Sequence, residues 1–199
     1  PDHEEMDYVL ATDKEVSSVS ISMTTRFRGH TAEQKNTVAY LKEALLTSFY
    51  NSMLSSRISE LMQQENPPFM GASIGFGGLV RGYDAYSIRV SPKPNEEALG
   101  WEAILRENER IKRYGFTNSE LERVKTNMLV SLESSYKEKD KVSNESYINE
   151  IKRHFLEQEI MLDFDWYYEL MKQLIPSIKV EEVSAKAKEW NRTKNRTVM

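Results

Sequence analysis

Three histidines are the natural start in a search for chemistry, since His titrates near neutral pH and ligates metals. His154 lies in EIKRHFLEQE, with Glu150 four residues before it and Glu157 three after. On a helix these three share a face and could form a carboxylate–His–carboxylate metal set. Glu, Lys and His at this spacing are also the ordinary content of a solvated helix, which is the preferred reading. His3 falls in an acidic N-terminal stretch and reads as a mobile surface residue; His30 falls in a Gly29-His30 turn. Neither has a spaced partner. The motifs H-x-x-E-H and H-E-x-x-H are both absent, so this chain alone cannot perform zincin-type hydrolysis. There is no G-x-S-x-G elbow for a serine nucleophile. The acidic pairs Glu96-Glu97 and Glu181-Glu182 stand at helix starts, where carboxylates complement the helix dipole. No residue is therefore assigned to catalysis or to metal binding.

The bulk properties narrow the partners. The 199 residues carry a net charge of −4 and no basic block, which argues against nucleic acid or an anionic membrane surface as the main partner. Cysteine is absent, which removes disulfides, thiolate metal sites and Cys nucleophiles but does not fix the compartment. No apolar run approaches the roughly 20 residues that span a bilayer, so membrane insertion is not expected. The sequence opens on Pro1 without a signal peptide, which suggests a processed product or an excised piece.

The elements that would position any site are legible from period. Residues 1–14 form a polar, acidic lead-in. Val16 to Arg28 alternates, with Val19, Ile21, Met23 and Phe27 on one face and Ser18, Ser20, Ser22, Thr24 and Arg26 on the other. That pattern predicts a strand buried on one side only. Thr31 can cap a following helix. From there Val38, Leu41, Leu45, Phe49, Met53, Ile58 and Leu61 or Met62 recur every three or four residues, giving one long helix or two in tandem. Pro67-Pro68 stops it. A glycine-rich strand over 69–80, a turn at Arg81-Gly82 and a second strand over 83–91 read as a hairpin. The glycines point to close packing, a bulge or a phosphate loop; the last is rejected because no G-x-G-x-x-G opens a helix and no G-K-[ST] occurs.

From Asn95 onward the pattern is helical. Gly115 ends one helix, and Thr117 with Glu120 forms a capping box for the next. Further helices follow with Tyr147, Ile148, Ile151 and Phe155, then from about Asp163 to Leu174 with Pro176 just beyond, then Val180 to Trp190. Arg196 to Met199 has strand character and could return to the sheet. The expectation is one domain over 15–199 of α+β, two-layer architecture: an antiparallel-rich mixed sheet with helices packed on one face.

The run LLTSFYNSMLSSRISELMQQENPPFMGAS, the later GFTNSELERVKTNML and the final strand after KVEEVSAKAKEWNRTKNRTVM together resemble the insulinase/pitrilysin family of zinc peptidases, in particular their non-catalytic, C-terminal-type domain. Arg57, Ile58 and Leu61 match the family helix that precedes a strand pair; Gly115, Phe116, Thr117, Glu120 and Leu121 match the opening of its later long helix. The resemblance covers residues 15–199. It implies a metallohydrolase-like domain forming one wall of a chamber that admits unfolded peptides, with zinc bound in a separate catalytic domain of the parent polypeptide and none in this chain. It further implies other domains of the same polypeptide as partners, and a periplasmic or cell-envelope location in a Gram-negative bacterium.

In the family's zinc-facing domain of this type, an Arg and a Tyr contact the substrate carbonyl where this chain has Met62 and Phe69. Phe69 is thus the position to which the resemblance assigns substrate contact, without the donor that would stabilise an oxyanion. The implied role is a scaffold and chamber wall of a larger metalloendopeptidase. The alternative is a degenerate, non-peptidase member acting as a structural or protein-binding subunit.

Overall fold

A computed structural model describes residues 2–16 and 18–199. The chain folds as β1 (Asp7–Tyr8), β2 (Ile21–Arg28), α1 (Ala32–Lys35), α2 (Val38–Met62), β3 (Gly71–Val80), β4 (Tyr83–Ser91), α3 (Glu97–Tyr114), α4 (Asn118–Lys137), α5 (Asn144–Glu157), α6 (Phe164–Ser177), α7 (Val180–Trp190) and β5 (Arg196–Val198). The strands form one mixed sheet in the order β1-β5-β2-β4-β3. Among the described residues only the β1–β5 pair is parallel. This is the expected α+β architecture.

Cross-strand register fixes the two faces. Met23 opposes Ile88, Thr25 opposes Tyr86 and Ile74 opposes Ile88 from the other side, and these residues face the helices. Ile88 and Tyr86 are 0% and 1% exposed. Trp190 of α7 stacks on Phe76 at 4.3 Å between ring centroids, and Phe27 meets Phe76 edge-on at 5.4 Å. Such geometries follow the ring quadrupole and add to the area buried. A buried polar chain ties the layers. The Tyr50 and Tyr86 hydroxyls lie 2.8 Å apart, Tyr86 donates to Asn108 Oδ1, and Asn108 donates to Asn191 Oδ1, at 2.7 Å each. Every member of the chain has a partner, as low-dielectric burial demands. Burial pushes the Tyr50 hydroxyl far up and that of Tyr86 up to about 12, so both stay protonated.

Helix signals account for most boundaries. Thr31 and Gln34 form a capping box on α1, Thr37 caps α2 through the Tyr40 N–H, and Thr117 with Glu120 forms the box on α4. Gly115 sits at φ +68 after α3, and a Cβ there would come within 2.5 Å of Ser184 Oγ. Glycine is required on both counts.

Several expectations shift. The β2 strand begins at Ile21; Val16 and Val19 are exposed and lie before it. The α2 helix ends at Met62, capped at Gln63, before the prolines. Pro176 lies in the last turn of α6 and not beyond it. His3 is joined to the C-terminal segment through its backbone: its N–H donates to Asn195 Oδ1 at 2.7 Å and its carbonyl accepts from the Asn195 N–H at 2.9 Å. From within the segment read as lead-in, Asp7–Tyr8 adds an edge strand to the sheet.

Candidate functional site

The sheet face opposite the helices is built by alternation. Its side chains are Ser22, Thr24, Arg26 and Arg28 on β2, Tyr83, Ala85, Ser87 and Arg89 on β4, and Ser73, Gly75 and Gly77 on β3, as the register requires. Small residues fill the middle and arginines stand at the ends. Arg26 and Arg28 both lie over the Tyr83 ring, with guanidinium carbons 5.3 and 4.8 Å from its centroid. Cation–π contact of this kind holds the guanidinium planes in a defined orientation. Asp2 reaches both: its Oδ1 is 3.2 Å from Arg26 and its Oδ2 3.9 Å from Arg28. A cavity of about 310 Å³ opens here, bounded also by Arg192, Lys194 and Asn195. Arg89 is exposed at the other end and makes no ion pair among the described residues.

A second feature lies along the free edge of β3. Asn51 of α2 donates to the Phe76 carbonyl at 2.8 Å and accepts from the Phe76 N–H at 2.9 Å, so one side chain closes one peptide unit of the edge. A Cβ at Gly75 would sit 3.0 Å from Asn51 Oδ1, which gives that glycine a packing role. Beyond Asn51 the edge and α2 enclose a groove of about 340 Å³ lined by Ser55, Ile58, Met62 and residues 71–74.

The sequence-flagged positions fall as follows. Met62 lines this groove and is partly buried. Phe69 is 0% exposed and belongs to the core. In this conformation Phe69 presents no surface to a peptide: the Pro67-Pro68 turn folds its apolar ring inward, where it gains burial. His154 is exposed on α5, and its Nδ1 lies 2.6 Å from the Glu159 carbonyl. Among the described residues no group of three His, Asp or Glu is placed to hold a metal. Arg57 and Glu120, noted as separate motif positions, form one ion pair across 63 residues: Arg57 donates from Nε at 2.5 Å and from an η nitrogen at 2.9 Å. Burial would raise the Glu120 carboxyl, but the Arg57 hydrogen bonds and the Thr117 N–H and hydroxyl outweigh it and bring it to about 2. Arg57 also donates to the Gly115 carbonyl at 3.1 Å, so this pair locks α2 to the α3–α4 corner. The clasp borders a cavity of about 390 Å³ lined also by Ser56, Glu60, Arg110 and Arg123.

The helix α5 differs from the rest. None of its residues is buried; Tyr147, Ile148, Ile151 and Phe155 are all more than half exposed. Two cations hold its C-terminal end: Lys35 Nζ donates to the Glu157 carbonyl at 2.7 Å and Arg81 to the Leu156 carbonyl at 2.9 Å. Unsatisfied C-terminal carbonyls and the helix dipole both favour such partners. Beside them a cleft of about 710 Å³ contains His30, Tyr40 and Asp84. Burial raises the Asp84 carboxyl, an effect the nearby His30 and Lys35 charges oppose.

Sequence reasoning missed the arginine–tyrosine set as a site. Part of its signal was present, because alternation put Arg26 on the polar face of its strand. Their juxtaposition needed the register between β2 and β4, which no local pattern supplies.

A mixed five-stranded sheet with helices on one face is the fold shared by solved peptidase domains of the insulinase type. Its solved neighbours are PqqL-like and insulinase-family peptidase domains. The first half of the periplasmic protease PqqL from Escherichia coli superposes with a TM-score of 0.79 at 17% identity, covering 100% of this chain and 42% of that one. An inactive M16 peptidase domain from Pseudomonas fluorescens superposes with a TM-score of 0.64 at 14% identity, covering 100% of this chain and 43% of that one. In sequence, a zinc protease PQQL-like protein of Arabidopsis thaliana is 23% identical over 184 residues, which is 92% of this chain and 16% of that protein. The chain thus spans about a sixth of that relative and less than half of these solved chains. No family model matches the chain.

Proposed function

We propose that this chain is a non-catalytic structural and peptide-chamber domain of a larger zinc metalloendopeptidase. The observation that carries the reading is the sheet face left bare of helices in a fold whose neighbours include an inactive peptidase domain. A bare face of small residues lets an extended backbone approach closely, while the layer behind keeps the wall rigid. The zinc would reside on an H-x-x-E-H motif in a separate domain of the parent, where it would supply the Lewis acid and activated water of peptide hydrolysis. This chain's share would be binding and placement of unfolded peptide. Phe69 would act from inside the core, fixing the turn that leads α2 into β3. The exposed apolar side of α5 supports packing against another domain of the same polypeptide. No helix among the described residues is long and apolar enough to cross a membrane. A periplasmic, Gram-negative setting rests on the PqqL neighbour, which is a periplasmic protease.

The test has two parts. Metal analysis and peptidase assay of the 199-residue chain should give no stoichiometric zinc and no zinc-dependent cleavage. The parent reading frame should encode H-x-x-E-H with a more distant Glu. One tightly bound zinc on this chain overturns the reading. A parent without the motif replaces it with the degenerate, protein-binding subunit.

A further inference from the structure

The open face carries a charge pattern opposite to that of the whole chain. The protein is net −4. Yet the outward positions of β2, β3 and β4 present Arg26, Arg28 and Arg89 and no carboxylate. The two ends of the face differ in build. At one end the Arg26–Arg28 pair is laid over Tyr83, and Asp2 already shows how a carboxylate is received there, one oxygen toward each guanidinium. At the other end Arg89 is exposed and has no ion-pair partner among the described residues. By register Arg26 lies across from Ala85 and Arg28 across from Tyr83. Arg89 is thus four residues from the first level and six from the second, or about 13 and 20 Å along the strands.

Guanidinium groups match carboxylates in planar, two-pronged geometry, and fixing them on an aromatic ring reduces the entropy lost when they bind. Between the ends the floor is Thr24, Ser87 and Gly75, which offers no bulk to keep a backbone away. Local positive potential on an otherwise acidic protein concentrates anionic ligands at that face.

We propose that this face binds extended peptide segments bearing two carboxylates four to six residues apart, one received by Arg26 and Arg28 and the other by Arg89. The proposal rests on the chamber-wall reading and names the class of peptide the wall prefers. Asp2 then acts as an internal competitor for the first position. Because the sites are solvent-accessible, the preference weakens with salt.

The experiment uses the unaltered 199-residue chain, with the photo-crosslinking group carried by the peptide midway between its two charged positions and the crosslinked residue mapped afterwards. Three fluorescent Gly/Ser-rich peptides serve as probes: one with Asp at two positions five apart, its Asn counterpart and its Lys counterpart. Anisotropy titration at low salt should show the Asp peptide binding about tenfold tighter than the Asn peptide, with the Lys peptide weakest. Raising the salt should narrow the gap. Arg28→Gln with Arg89→Gln should bring the Asp peptide to within about twofold of the Asn peptide, a test on exposed side chains that leaves the core untouched. Asp2→Asn should strengthen Asp-peptide binding. If the Asp and Asn peptides crosslink and bind alike, and the arginine variants change neither, the charge preference is overturned and the chamber wall stands. If no peptide crosslinks to this face, both fail.

Discussion

Helices α2 and α5 were read from the same kind of pattern, yet one is the centre of the molecule and the other lies on its outside. Both carry apolar residues three and four apart. In α2 that pattern meets a sheet on one side and α4 and α7 on the others, so Phe49, Tyr50 and Leu54 have no exposed surface. In α5 no element among the described residues covers it, and Phe155 is 81% exposed. Periodicity therefore establishes that a helix forms and which side is apolar. Whether that side stabilises the fold depends on a partner surface brought from elsewhere in the chain.

The sharpest test of the contrast is a matched pair of truncations. Phe49→Ala should destabilise the protein by about 3–5 kcal/mol, by lost transfer energy and a residual cavity. Phe155→Ala should fall within about 0.5 kcal/mol. Denaturant titration of the two variants measures the difference, and a loss above about 2 kcal/mol at Phe155 would show that α5 has a hidden partner within the chain. Ile58→Ala, 5% exposed near the end of the α2 seam, should cost about 2–5 kcal/mol. A value near zero would confine the core to the first half of α2.

The next effect is conditional on pH. Glu120 has its carboxyl lowered to about 2 from an ordinary 4.5. A depressed folded-state value adds stability that is complete above the unfolded value and is lost as protons bind. The contribution of the Arg57–Glu120 clasp should thus fade as pH drops from about 4.5 toward about 2. Glu120→Gln should be less stable at neutral pH and should show a flatter acid limb in Tm against pH. Parallel curves for the two proteins would count against the clasp.

The smallest expected effect concerns the tether of α5. Replacing Lys35 and Arg81 by Met should change global stability by only about 0.5 kcal/mol. Amide exchange across residues 144–157 should nevertheless accelerate while α2 stays protected. Unchanged exchange would mean that the apolar side of α5 holds it after all.

These comparisons also show what a linear reading can reach. Element order, the hairpin, the capping box at Thr117 and the return of the last strand were legible, because each rests on local chemistry. Leu46, Tyr50 and Leu54 were missed as core because a single apolar stripe was assumed. A helix enclosed by a sheet and two other helices buries a wider arc. Val19 looked like part of β2, but the strand lasts only where β4 and β5 supply hydrogen-bond partners. Phe69 was placed by resemblance at a substrate contact, whereas its position depends on how the proline turn packs. At the candidate site Arg26 could be assigned to a polar face, but the grouping over Tyr83 depends on strand register. Asn51 gave no signal, since an amide in a helix discloses nothing about the strand edge it covers.

The parallel pairing of β1 with β5 has a topological consequence. Residue 3 bonds residue 195, and Met199 exchanges both backbone hydrogen bonds with Ser22. The first described residues and the last thus lie about four strand residues, or about 13 Å, apart on one edge of the sheet. A linker of a few glycines and serines would bridge that gap at little loop-closure cost. The chain could then be circularly permuted, with new ends cut in the exposed stretch between α4 and α5. Order along the polypeptide would change while every strand kept its neighbours.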